Sequence, residues 1–157
     1  MATEIERKFL VKGDGWRGLA EGQYYCQGYI PAKEGRSVRV RIVGECGFLT
    51  IKGPTVGNTR AEFEYPIPVE DAREILETLC ERPYIEKTRY KIAVGELTWE
   101  VDEFAGENQG LILAEVELPG ENQEVQLPDW IDKEVSGDAR YFNSNLAKNP
   151  FKHWQKS

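Results

Sequence analysis

Charged side chains recur at every second position in several short segments of this 157-residue chain. Near the N-terminus the charged positions of one such segment are Glu4, Glu6 and Lys8. Because successive side chains of an extended strand point to opposite faces, this spacing places all three on one face. A face of this kind attracts ions and anionic ligands. The other charged residues with this spacing are Arg39, Arg41, Lys52, Arg60, Glu62, Glu64, Lys87, Arg89, Glu100, Asp102, Glu115 and Glu117.

An ordinary antiparallel sheet with one solvated face also alternates polar and apolar residues, so any single segment fits that simpler arrangement. A solvated face usually mixes Thr, Ser, Gln and Lys, however, whereas these positions carry mainly Glu, Asp, Arg and Lys. If the sheet closes with its charged faces inside, the interior must be wet and must hold ions and an anionic ligand. The reason is that each unpaired charge in a dry interior costs several kcal/mol.

The elements that must position these charges are antiparallel strands, which the period-2 alternation predicts. Eight antiparallel strands are enough for a sheet to close on itself. We therefore expect an α+β fold, an eight-stranded antiparallel β-barrel with helices packed outside and a C-terminal helix. The strands are predicted near residues 3–11, 23–30, 36–43, 47–53, 60–68, 84–94, 96–104 and 110–118.

Two segments have helical rather than strand periodicity. The segment from Val69 to Cys80 carries an apolar stripe that predicts a helix on the outside of the sheet, ending before Pro83. The second predicted helix follows Ser136, which we interpret as its N-cap, and runs toward Pro150.

Composition excludes several other classes of protein. A formal net charge of -7 and a pI near 4.9 argue against a nucleic-acid surface, which needs excess Lys and Arg. No apolar run is long enough for a membrane span, and the N-terminus lacks a signal-peptide core, so we expect a cytoplasmic protein without a membrane partner. The odd number and wide spacing of Cys26, Cys46 and Cys80 indicate buried reduced thiols rather than a zinc site or disulfides.

The charged segments, read in order, resemble a known family. Glu4-Ile5-Glu6-Arg7-Lys8 resembles the opening motif of the CYTH superfamily, the triphosphate tunnel metalloenzymes. The later matches cover nearly the whole chain, so the resemblance implies a single domain over residues 1–157. These matches are Arg39-Val40-Arg41, Thr50-Ile51-Lys52, Glu62-Phe63-Glu64, Lys87-Thr88-Arg89-Tyr90, Glu100-Val101-Asp102, Glu115-Val116-Glu117 and Arg140-Tyr141.

The resemblance implies a tunnel that holds a triphosphate, with acids on one wall for a divalent metal and bases on another for phosphate oxygens. Mg2+ and Mn2+ prefer hard oxygen ligands, and Arg and Lys suit phosphate, so the division is chemically reasonable. The implied primary metal ligands are Glu4, Glu6, Glu115 and Glu117. Glu62, Glu64, Glu100 and Asp102 are second-metal ligands, partners of bound water, or acceptors that orient the bases. The implied catalytic and triphosphate-binding bases are Lys8, Arg39, Arg41, Lys52, Lys87 and Arg89, with Arg60, Arg140 and Lys133 as outlying candidates for substrate binding.

The expected reaction is metal-assisted attack of water on a phosphoryl group. The chain has no P-loop, its one histidine, His153, lies near the end, and no Ser or Cys has a visible base partner. We expect hydrolysis of the terminal phosphoanhydride of inorganic tripolyphosphate, and of nucleoside triphosphates, by a monomer or homodimer. Within the family, a class IV-type adenylate cyclase and a thiamine triphosphatase are the alternatives. A non-catalytic polyphosphate- or nucleotide-binding module is a further alternative.

A nucleoside or thiamine group would need an aromatic pocket at the tunnel mouth. The aromatic residues that the sequence offers for this purpose are Trp16, Tyr24, Tyr25, Tyr29 and Phe142. Packing in the core or on the surface is the simpler role for each of them.

Overall fold

The computed structural model describes residues 2–57, 59–120 and 124–154, with only the backbone of residues 2–4. Within this part of the chain there are nine strands and two α-helices. Three short 3-10 turns accompany them at Gly106–Asn108, Ala139–Tyr141 and Phe151–His153. The elements are β1 Ala2–Val11, β2 Gly22–Ile30, β3 Ser37–Val43, β4 Cys46–Lys52, β5 Thr59–Ile67, α1 Val69–Thr78, β6 Ile85–Val94, β7 Leu97–Phe104, β8 Ile112–Glu117, β9 Ile131–Glu134 and α2 Asn143–Lys148.

The first eight strands form a closed antiparallel barrel in the order β5-β4-β3-β2-β6-β7-β8-β1. The barrel closes where the first half of β1 pairs with β5, with Ile5 opposite Thr59. The other edge of β1 pairs with β8, and Lys8 lies opposite Glu115. The predicted barrel and its eight strands are confirmed, and each predicted strand end lies within two residues of the observed one.

The ninth strand, β9, was not predicted. On one edge of β1, the first half pairs with β5 and the second half pairs with β9. Val11 lies opposite Ile131. Three of the four side chains of β9 are exposed, so the sequence has no run of alternating apolar residues here. Its extended conformation therefore depends on pairing with β1, which the local sequence does not reveal.

The outward faces of the strands are covered by α1 and by long connecting segments. Helix α1 packs on β3 and β4 so closely that a Cβ at Gly47 would lie 2.8 Å from the Cβ of Ala72. On the other side of the barrel, Trp99 lies between the rings of Phe9 and Trp130, with centroid distances of 5.5 and 5.9 Å. The two segments that follow β1 and β8 supply the apolar cover that two helices alone cannot provide.

The C-terminal segment differs from the prediction at its start. Helix α2 begins at Asn143, after a 3-10 turn, and Ser136 is not its N-cap. Instead the Ser136 hydroxyl accepts a hydrogen bond from the Lys8 backbone N–H (2.9 Å) and donates one to Glu134 (2.6 Å). Leu146 of α2 packs on apolar residues of the strands, so the helix covers one end of the barrel. The inward-facing strand residues at this end are Tyr29, Ile85, Phe104 and Leu113.

The three cysteines are free thiols, as expected. Cys26 and Cys80 are half-buried, but Cys46 is exposed at the turn between β3 and β4, so the expectation of burial is wrong for that residue. No helix in the described part of the chain is long and apolar enough to cross a bilayer.

Candidate functional site

The barrel encloses a cavity of about 470 Å3, lined by side chains from all eight of its strands. Strand alternation places the charged residues of each strand on one face, and in the barrel that face points inward. Residues 142–144, before and at the start of α2, lie at one end of this cavity. The predicted site residues that line it are Glu6, Lys8, Arg39, Arg41, Lys52, Arg60, Glu62, Glu64, Lys87, Arg89, Glu100, Glu115 and Glu117.

A buried carboxylate anchors two of the cavity bases. Asp102 lies directly opposite Arg89 in the β6–β7 pair, and its Oδ1 accepts a hydrogen bond from Arg89 Nε at 2.7 Å. Its Oδ2 accepts hydrogen bonds from Lys87 Nζ and Arg89 NH2, both at 2.8 Å. Asp102 does not line the cavity, and its hydrogen bonds to Lys87 and Arg89 are those of an acceptor that orients the bases; its role as a metal ligand stays a prediction.

The positive charges of neighbouring bases in the cavity repel each other. Burial, helped by Arg89 and Arg41 and opposed by Asp102 and Glu115, lowers the pKa of Lys87 to about 7. Burial together with Arg39 and Arg89 lowers the pKa of Arg41 to about 10. Burial alone would raise the pKa of Asp102, but Arg89 and Lys87 outweigh it and hold that pKa below its usual value. An anion in the cavity would relieve this repulsion between cations.

Arg39 lies on the β3–β4–β5 side of the cavity and has unused hydrogen-bonding capacity. Its NH2 donates to Thr50 Oγ1 at 3.2 Å, and Thr50 donates in turn to Glu64 at 3.3 Å. The Arg39 Nε is buried and makes no hydrogen bond within the described residues. A buried guanidinium N–H without an acceptor is costly, so this geometry favours an anionic ligand at this position.

Carboxylates cluster on the opposite wall, where β1, β7 and β8 are neighbours. Glu6 lies opposite Glu117, and Glu100 lies opposite Glu115. Lys8 Nζ lies 3.4 Å from a Glu115 oxygen. Burial opposes ionisation of both partners, but the attraction dominates, so the pKa of Lys8 is raised and that of Glu115 is well below its usual value.

These carboxylates suit a hard divalent cation. Among residues whose side chains are described, no three Asp, Glu, His or Cys side chains converge into a metal-binding group. Mg2+ is usually bound by one or two carboxylates together with waters and substrate phosphates, so paired carboxylates beside the base cluster fit that chemistry. The side chain of Glu4, a predicted ligand, lies outside the described residues, and its role stays a prediction.

The sequence profile of the CYTH domain matches residues 2–148. The chain belongs to the CYTH domain family. A relative from Acetivibrio thermocellus, named inorganic triphosphatase, is 56% identical over 156 residues, which cover 99% of this chain and 100% of the relative. A Nitrosomonas europaea protein with the same name is 38% identical over 154 residues, covering 92% of this chain and 97% of that protein.

The fold of the CYTH domain is shared with a solved structure described as an inorganic triphosphatase. That crystal structure superposes with a TM-score of 0.66 at 34% sequence identity, covering 91% of this chain and 96% of its own.

Two outlying predicted bases of this CYTH chain lie away from the cavity. The Arg140 side chain is 61% exposed and pairs with Asp138 at 2.6 Å. Its guanidinium lies over the rings of Tyr141, its neighbour in the same 3-10 turn, and of Trp154, which follows the last 3-10 turn. Lys133 is exposed on β9. Neither residue lines the cavity that the other bases share.

The aromatic candidates also separate into two groups. Tyr25, Tyr29 and Phe142 line the cavity. Tyr24 is half exposed and donates a hydrogen bond to Glu86, whereas Trp16 is buried against Tyr90 outside the barrel. Only the first group is placed where a substituent on a triphosphate could reach it.

Two uncharged residues that contact the bases of the CYTH cavity were missed by sequence reasoning, as was one base that lines it. Gln27 lies between Tyr25 and Tyr29 in the inward phase of β2, and that period-2 spacing was a signal that could have found it. Lys91 continues the spacing of Lys87 and Arg89 and was missed in the same way. Asn143 had no local signal, because its position depends on where α2 begins.

Proposed function

We propose that this CYTH chain is an inorganic triphosphatase, a divalent-metal-dependent hydrolase of the terminal phosphoanhydride of tripolyphosphate. The observation that carries this proposal is the imbalance of buried charge inside the barrel. Buried in the cavity wall or directly behind it, among the described residues, are four bases, Lys8, Arg39, Lys87 and Arg89, but only two acids, Glu115 and Asp102. A linear polyanion supplies the missing negative charge, and the named relatives support the choice of an inorganic triphosphate.

The bases would hold the triphosphate by its non-bridging oxygens. Arg39 and Arg89 are guanidinium groups suited to bidentate contact, and Lys87 acts as a compact point charge. As the terminal phosphoryl group transfers, negative charge spreads over its oxygens, and these fixed cations stabilise that charge without reorganising. Catalysis then depends mainly on positioning and electrostatics, which the rigid strands provide.

The acidic wall would hold the cation. The residues that would bind Mg2+ or Mn2+ are Glu6, Glu117, Glu115 and Glu100, with Glu4 as a further ligand. When bound, the cation neutralises phosphate charge and lowers the pKa of a coordinated water. The same carboxylates repel phosphate oxygens from their side of the cavity, so they orient the substrate toward the bases.

We further propose that nucleoside triphosphates are additional substrates. A second cavity of about 300 Å3 adjoins the first, and Tyr29 and Phe142 line both. Pro31 and the turn after β2 add to this pocket. A nucleoside could occupy it while its phosphates reach the bases. ADP and phosphate as products from ATP would support hydrolysis, whereas cyclic AMP and pyrophosphate would show a cyclase.

A phosphate-release screen tests the main proposal. Tripolyphosphate, ATP, GTP, pyrophosphate and thiamine triphosphate are each incubated with the chain and Mg2+ or Mn2+, with EDTA as the metal-free control. We expect release from tripolyphosphate that needs metal, and a fall of about 10–100-fold or more in Glu4→Ala, Glu6→Ala and Arg39→Ala. Arg73→Ala, at an exposed position on α1, is the matched control for loss of a cation. Full activity in folded Arg39→Ala and Glu6→Ala would refute the proposal. Tight binding with no turnover would favour a binding module instead.

Three expectations from the sequence stay predictions. They are a single domain over residues 1–157, a cytoplasmic location, and a monomeric or homodimeric state.

A further inference from the structure

Two side-chain amides connect bases on the two strands that flank β2, Arg41 on β3 and Lys87 on β6. Gln27 of β2 is fully buried, and its Oε1 accepts a hydrogen bond from Arg41 Nε at 2.8 Å. Its Nε2 donates to Asn143 Oδ1 at 3.3 Å, and the same oxygen accepts a hydrogen bond from Lys87 Nζ at 3.0 Å. The two amides therefore form a continuous path from Arg41 to Lys87.

The orientation of both amides is determined by their charged neighbours. Arg and Lys have donors and no acceptor, so the Gln27 oxygen must face Arg41 and the Asn143 oxygen must face Lys87. With its oxygen fixed in this way, Gln27 turns its NH2 group toward Asn143, which completes the path. No other arrangement of the two amides satisfies both cations.

Asn143 comes from a different part of the fold than the bases it contacts. It is the first residue of α2, whose Leu146 packs on inward-facing residues at the end of the barrel. Lys87 has Asp102 and Asn143 as its two acceptors among the described residues. An ammonium group has three donors, so one N–H of Lys87 is left for a ligand.

We propose that Gln27 and Asn143 are positioning residues, which hold the head groups of Arg41 and Lys87 in the geometry that binds the triphosphate. This inference rests on the proposed function. A neutral amide suits the task because it accepts from a cation without cancelling its charge, whereas a carboxylate would compete with phosphate. The C-terminal helix is thereby part of the phosphate site and not only a cover.

Substitutions at Asn143 separate positioning from structure. Asn143→Ala leaves Lys87 and Gln27 without their shared acceptor, and we expect kcat for tripolyphosphate to fall about tenfold with a smaller change in KM. Asn143→Asp keeps the size and the acceptor, so it should fold, but its charge should weaken tripolyphosphate binding about tenfold or more. Asn145→Ala is the control, because its Nδ2 donates to Ala139 O in the same segment and contacts none of the bases.

Calorimetric titration with sodium tripolyphosphate in EDTA supplies a readout that does not need turnover, and thermal unfolding monitors the fold. Weaker binding in Asn143→Asp at an unchanged Tm, with Asn145→Ala behaving as the wild-type chain, would support the inference. If both Asn143 variants bind and turn over tripolyphosphate like an active wild-type chain, the inference is overturned while the proposed function stands. If the wild-type chain binds tripolyphosphate without hydrolysing it, the proposed function fails and the binding comparison still decides the inference. If it neither binds tripolyphosphate in EDTA nor releases phosphate from it with Mg2+ or Mn2+, both are overturned.

Discussion

Replacing Asp102 by Asn would test whether the base cluster depends on one buried carboxylate. The substitution keeps the size of the side chain but removes the charge that three hydrogen bonds from Lys87 and Arg89 share. Two buried cations would then lie close together with only Glu100 and Glu115 left to compensate their charge. Asn also brings an NH2 group that must point at one of two donor-only partners.

The expected loss of stability is large. Removing one partner of a buried ion pair costs about 3–5 kcal/mol, because the remaining charge stays buried and unpaired. For a chain of this size, about 1 kcal/mol corresponds to about 2–4 °C in Tm, so we expect a fall of about 6–20 °C. Glu100→Gln is the control within the same cluster. Glu100 lies 3.4 Å from Arg89 and is 31% exposed, so its loss should cost about 0–1 kcal/mol.

The deficit of Asp102→Asn should also depend on pH, because Lys87 can lose its proton. In the wild-type chain the pKa of Lys87 is about 7, and without Asp102 it falls further. At pH 6 the wild-type Lys87 is mostly charged and benefits from Asp102, whereas at pH 8 it is mostly neutral and loses little when Asp102 is removed. The deficit should therefore be larger at pH 6 than at pH 8, where mainly the contribution of Arg89 remains.

Urea unfolding followed by circular dichroism at both pH values measures this directly. A deficit no larger than that of Glu100→Gln would show that Asp102 does not compensate the bases. A deficit that is the same at pH 6 and pH 8 would show that Lys87 does not titrate in this range.

Three further outcomes are expected. The folded-state pKa of Lys87 is below its unfolded value, so charging it destabilises the fold; stability should rise from about pH 7 to about pH 10, and Lys87→Met should remove this rise in urea titrations. Gly47→Ala puts a methyl group 2.8 Å from α1 and should cost about 1–3 kcal/mol in thermal unfolding, whereas Gly53→Ala, with its nearest atom at 3.6 Å, should cost little. The hydrogen bond from Arg7 lowers the pKa of Glu134, so Glu134→Gln should cost about 0.5–1 kcal/mol at pH 7, and the difference should be lost as the pH falls through the lowered pKa of Glu134.

Strand spacing made the barrel predictable, because a period of two assigns every charged residue of a strand to the same face. The sequence could not decide by itself whether that face was inside. The deciding feature is the cover of the opposite face, which comes from Trp16, Trp130 and α1. Two of these three lie in irregular segments with no periodic pattern, so only the ordered resemblance to the CYTH family indicated an interior cavity.

The elements and contacts that the sequence did not predict depend on interactions between distant segments of the chain. β9 forms only because β5 leaves half of one edge of β1 unpaired, and α2 begins only where Leu146 can reach the end of the barrel. The role of Asp102 was ambiguous for a related reason. A carboxylate in the inward phase can face a metal or a neighbouring base, and the local sequence does not reveal the register that puts Asp102 opposite Arg89.

The charge arrangement of the cavity is a compromise between folding and binding. Asp102 compensates Lys87 and Arg89 enough for the strands to close, but it leaves the pKa of Lys87 depressed. A second buried carboxylate beside Lys87 would stabilise the empty barrel and weaken its attraction for a polyanion. The neutral Asn143 occupies that position instead. On β3, the buried Arg39 Nε makes no hydrogen bond within the described residues, so its N–H can be donated to a ligand. The repulsion between cations that destabilises the empty cavity is relieved when a polyanion binds. A ligand should therefore raise both the Tm of the chain and the pKa of Lys87.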